Sequence, residues 1–142
     1  ASEILKRLKQ PAARGLAVEA LVRRHMTFAE LPNMRPATLR RFMGASTFSR
    51  DLALHRLDVA CSSGDTRILR FVERKRAELA AEPVLPEPWL RGRDLLALGV
   101  PAGPRVGHWL RQAYTWQLEG RFDGPEALRE ALRHTLHRHG DV

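Results

Sequence analysis

Arginine is the residue type through which this sequence could do chemistry, and its spacing gathers it on surfaces. Arg67, Arg70 and Arg74 stand at i, i+3 and i+7, which puts three guanidinium groups on one side of a helix. Arg40 and Arg41 are adjacent in a short helical pattern. Arg91, Arg93, Arg105 and Arg111 surround a glycine-rich turn. A guanidinium fork matches the oxygens of phosphate, so the chemistry suggested is binding of a polyanion. Pairing with Glu73, Glu78 and Asp94 on a solvated face would account for any one of these arginines. The set as a whole favours RNA.

The turn itself lies between Gly92 and Gly107. Asp94 to Leu98 predicts a short helix stopped by Gly99; Val100 to Gly103 predicts a turn, and Pro104 opens a longer helix. Glycine admits positive φ and lets a second backbone come close. The second helix would begin near Arg105 with unpaired backbone N–H groups, a seat for phosphate. A plain helical hairpin, with glycines that only pack, fits the same residues.

Catalytic constellations are absent. There is no Asp-x-Asp pair, no GxxxxGK[ST] loop, no GxSxG elbow and no CxxC pair. No catalytic residue and no metal site is therefore assigned. Cys61, the single cysteine, excludes a disulfide framework within the chain and fits a reducing, cytoplasmic setting. Its position on an apolar helix face predicts a core residue rather than a nucleophile. Trp89, Trp109 and Trp116 could stack on bases. Their helical spacing favours packing, least clearly for Trp89 in a proline-rich stretch. His134 and His137 could bind metal, but with Arg138 and His139 they read as a basic helix end that complements the helix dipole.

The elements that must carry these residues are helical throughout. The chain has 142 residues, 44% of them hydrophobic, and a net charge of +8. That is a globular composition with an excess favouring anionic partners. All but three of the 24 basic residues are arginine, a bias that a GC-rich genome would explain without explaining the charge excess. No apolar run approaches the roughly 20 residues that span a bilayer, so no membrane association is expected. The chain opens inside a helical pattern, Ser2 to Leu8, without an initiator methionine or signal peptide. This predicts a piece of a longer protein with upstream sequence missing.

Apolar residues recur at three and four spacings, and about eight helices are predicted. Ile4, Leu5 and Leu8 mark the first, and Val18, Leu21, Val22 and Met26 one face of the second. Pro32 falls in a turn, and Pro36 starts a third helix with Leu39, Phe42 and Met43. Ser46 or Thr47 would cap a fourth, running towards Ser62 with Leu52, Leu54, Leu57, Val59 and Cys61 as its apolar positions. Ile68, Leu69, Val72 and Leu79 mark the fifth. Pro83, Pro86 and Pro88 make a stiff non-helical connection, giving a helical body over 1–82 and a smaller helical tail over 83–142. Asp123, Pro125 and Glu126 announce the last helix, lined by Leu128, Leu132 and Leu136.

The Gly92–Gly107 segment resembles the C-terminal region of bacterial tRNA nucleotidyltransferases and related poly(A) polymerases. There a Gly-x-Asp-Leu helix precedes Leu-Gly and a Pro-x-Gly-Pro turn. Arg91 stands where that family usually has a capping Thr or Ser. His25 to Phe28, Met34 to Phe42, Leu54 to Asp58 and Ser62 to Asp65 occur in order and are similar to the body of the same family. The resemblance runs from about Leu21 to Gly107. It implies an all-α bundle that binds and positions RNA, in particular tRNA, for a catalytic head in cis. That head would use Mg2+ with CTP or ATP; no cofactor is expected within this chain. In many members the body overlaps an HD-type metal domain. Asp58 resembles the last ligand of such a site and His25 an accessory histidine, but the His-Asp pair is missing. Asp58 is instead expected as a buried or half-buried carboxylate paired with Arg or His. The competing readings are an HD-type phosphohydrolase fragment, a helix-hairpin-helix element binding duplex DNA, and an interaction module whose charge is incidental.

Overall fold

The computed structural model describes residues 2–9, 11–62 and 64–140, apart from the side chains of residues 2, 5 and 6. The side chain of Leu5 and the whole of Ser63, both used above, lie outside the described residues. The α-helices are α1 Ser2–Arg7, α2 Ala12–His25, α3 Pro36–Met43, α4 Phe48–Cys61, α5 Arg67–Glu78, α6 Gly92–Ala97, α7 Pro104–Leu118 and α8 Pro125–His139. No strand occurs among the described residues, and the fold is all-α as expected. The described residues form two compact units, those within 2–34 and 41–84 and those within 35–40 and 85–140.

In the first unit the expected turn around Pro32 is a 3-10 helix, Met26–Asn33. In that geometry residues three apart eclipse, so Phe28 and Leu31 share a side. Both are fully buried. Phe28 stacks on His55 with ring centres 4.7 Å apart and on Phe48 at 6.1 Å, and meets Phe42 edge-on at 5.4 Å. Such ring pairs contribute about 0.5–1.5 kcal/mol each beyond simple burial.

Two expectations fail here. On α2, which packs on α4, Val18 and Leu21 are half-buried while Val22 is exposed, and Met26 falls beyond α2 at the start of the 3-10 helix and is exposed. On α4, Leu52 and Val59 are buried, but Leu57 and Cys61 are exposed. At roughly 100° per residue, Leu57 and Cys61 fall about 140° and 180° round the helix from Leu52. Cys61 is therefore a surface thiol and not a core residue.

The second unit is built on α7. Its core joins Leu90, Leu95, Val100, Trp109 and Ala113 to Leu128, Leu132 and Leu136 of α8, with Trp116 and Phe122 packed against it. Trp109 and Trp116 are thus packing residues. The proline-rich connection is fastened to α7 by side chains. The buried Gln117 carboxamide accepts the Trp89 N–H at 2.9 Å and donates to the Glu87 carbonyl at 2.8 Å. The Tyr114 hydroxyl donates to the Pro86 carbonyl at 2.9 Å.

Candidate nucleic-acid interface

The glycine turn is a helix stop followed by a helix start. Gly99 takes φ 92°, a conformation that favours glycine. Its N–H reaches the Leu96 carbonyl at 3.0 Å, and the Val100 N–H reaches that of Leu95 at 3.1 Å. This is a Schellman closure, and the buried Val100 and Leu95 make the apolar contact that accompanies it. Gly103, at φ 146°, is the N-cap of α7, and Pro104 follows at its first position. Gly103 has no side chain to cap the helix, and the Val106 N–H is met by the Gly103 carbonyl at 3.1 Å. A hollow of about 280 Å³ lies here, lined by residues 101–104 and Arg105.

Arg105 lines this hollow, and Arg91, Arg93 and Arg111 lie near it in the sequence. Arg91, Arg93, Arg105 and Arg111 are all exposed. Arg91 offers no side-chain oxygen to cap α6. Instead the Asp94 carboxylate accepts the Arg91 backbone N–H at 2.7 Å, which leaves the Arg91 guanidinium clear of the cap. Gly107 makes room for Arg111, whose Nη1 would stand 3.4 Å from a side-chain carbon at that position. Arg40, on α3, is half-buried.

The first unit carries the other set. Arg67, Arg70 and Arg74 are exposed along α5, as their spacing predicts. They edge a groove of about 590 Å³ floored by Ala29, Pro32, Ile68 and Phe71. They are not equivalent. Arg67 is held in a fork by Asp65, with contacts of 2.7 and 2.9 Å. Those hydrogen bonds pull the Asp65 carboxyl down to about 2 and push the Arg67 guanidinium up. Arg74 lies over the Phe71 ring at 5.5 Å and 3.7 Å from Glu78. Arg41 is exposed on α3. Both Arg40 and Arg41 already engage other residues.

Asp58 is exposed, which overturns the expectation of a buried carboxylate there. The buried one is Asp51, with 1% of its surface exposed. Arg24 Nε lies 2.7 Å from its carboxylate as a charge contact not aligned for a hydrogen bond. Thr47, at the N-cap of α4, gives its hydroxyl to Asp51 at 3.0 Å rather than capping the helix. A carboxylate four residues past a Thr was the available signal. His55 was also missed. Its pKa is lowered, first by burial and then by His25, with Asp58 opposing. Among the described residues no three of His, Cys, Asp or Glu converge to hold a metal ion. His134 instead pairs with Glu130 at 3.0 Å.

Fold and site together define a class: an all-α protein with arginine-edged hollows on each of two helical units. No family model matches the chain, and no solved structure matches it. It is 32% identical over 138 residues to the A-adding tRNA nucleotidyltransferase of Deinococcus radiodurans, covering 90% of this chain and 31% of that protein. It is 34% identical over 117 residues to the CC-adding tRNA nucleotidyltransferase of Thermus thermophilus, covering 81% of this chain and 26% of that protein. The chain is thus similar to part of two tRNA nucleotidyltransferases and spans less than a third of the length of either.

Proposed function

We propose that this chain binds tRNA and positions it for nucleotide addition by a catalytic head elsewhere in a longer polypeptide. One observation carries the reading. The same segment is similar to relatives named for adding A and for adding CC, and tRNA is what those two names share. A segment common to both suits gripping the tRNA rather than choosing the nucleotide. The exposed arginines of α5 and of the α6–α7 turn support it, because phosphate contacts grip RNA by shape and charge with little base readout. The head would supply magnesium and bind CTP or ATP. The setting would be cytoplasmic, and no described helix is long and apolar enough to cross a membrane.

Reversing charge at Arg105 and Arg111 tests the turn. Weaker tRNA binding with an unchanged circular dichroism spectrum is expected; unchanged affinity removes the turn from the site. Incubated with tRNA, magnesium and labelled CTP or ATP, the chain is expected to transfer no nucleotide. A second reading, duplex-DNA binding through the α6–α7 hairpin, is favoured by the geometry of the turn alone. It predicts DNA affinity at least equal to that for tRNA.

A further inference from the structure

We propose that Trp89 is a stacking platform for an unpaired nucleobase of the bound RNA, a role that rests on the RNA reading above. The three tryptophans are treated differently by the fold. Trp109 is 6% exposed, and Trp116 packs against Phe122, whereas Trp89 is 37% exposed. Among the described residues no ring or guanidinium stacks on it.

Its mounting is rigid. Gln117 fixes the backbone at Trp89 and Glu87, Pro88 restricts the residue before, and Leu90 is sunk in the core immediately after. With its backbone fixed, Trp89 has only its two side-chain torsions left to order when a ring settles on it. Arg91 and Arg93 follow two and four residues on, both exposed, and can take the flanking phosphates. Aromatic side chains interleaved with basic ones bind single-stranded nucleic acid by this division of labour. The surrounding positive charge favours a nucleobase over an apolar protein segment as the occupant.

The test uses the whole chain, a short single-stranded oligoribonucleotide and an abasic oligonucleotide of equal length, over a salt series. Replacing Trp89 with Ala is expected to weaken oligoribonucleotide binding about tenfold, since stacking on one aromatic is worth that much or more. Trp89→Phe should retain most of the affinity, which excludes misfolding as the cause. The dependence on salt should be unchanged, because no phosphate contact is lost. The abasic strand should bind both proteins equally. If wild-type protein binds RNA and Trp89→Ala binds it equally well, the platform is overturned while the RNA reading stands. If wild-type protein binds no RNA, both fall. If Trp89→Ala instead abolishes self-association in sedimentation, the indole is an interface between copies and the inference is overturned.

Discussion

The Arg24 guanidinium lies 2.7 Å from the carboxylate of Asp51, one of two buried polar side chains among the described residues. Asp51 also accepts from Thr47, so a single acid joins α2 to the start of α4. Replacing Asp51 with Ala strands an arginine that is largely shielded from solvent. We expect a loss of about 2–3 kcal/mol, below the range for fully buried pairs because Arg24 keeps some hydration. Urea denaturation measures it. Adding Arg24→Met should recover part of the loss, and no recovery would mean the two residues act separately.

His55 makes the first unit sensitive to mild acid. Its Nε2 is buried without a hydrogen-bond partner, and burial lowers its pKa in the folded chain. The folded state then prefers neutral imidazole, while the unfolded chain protonates near the ordinary value of about 6.5. Stability is whole above that value and is lost as pH falls through it towards the lower folded pKa. A urea midpoint that drops between about pH 7 and 5, and drops less in His55→Gln, is the expected result.

Asp65 titrates lower still. Its carboxyl sits at about 2, so its contribution is present above about pH 4 and is lost as pH falls towards 2. Asp65 also occupies Arg67. Asp65→Asn should free that guanidinium and tighten tRNA binding at low salt by roughly twofold to fivefold, an effect that fades as salt rises. Weaker binding would show that the fork positions Arg67 productively.

Gln117 is the fastening of the proline connection. Gln117→Leu leaves the Trp89 N–H and the Glu87 carbonyl without partners and should cost about 1–3 kcal/mol. Amide exchange at Trp89 should accelerate well beyond that within α8. Equal acceleration at both sites would mean the connection opens only with the whole unit.

The helices are legible in the sequence because their signals are local. Pro36, Pro104 and Pro125 start helices, and Gly99 stops one. The 3-10 helix at Met26–Asn33 is not legible, because the burial of Phe28 against rings on two other helices holds it. Asp51 and Asp58 show the same limit. They are seven residues apart and share a face of α4, yet only Asp51 is covered. Which end α2 covers is a tertiary fact that α4 itself does not encode. The arginine positions were readable from spacing. The capture of Arg67 by Asp65 was also within reach, two residues away, whereas the anchoring of Trp89 by Gln117 joins residues far apart in the chain.

The central claim is that this chain grips tRNA, and a salt titration tests it most directly. Affinities for tRNA and for a DNA duplex of similar length are measured from low to moderate ionic strength. We predict tighter binding of tRNA throughout and a linear fall of log affinity with log salt, by roughly 0.7–0.9 for each phosphate neutralised. Equal affinity for the duplex, or tRNA binding indifferent to salt, would contradict the account.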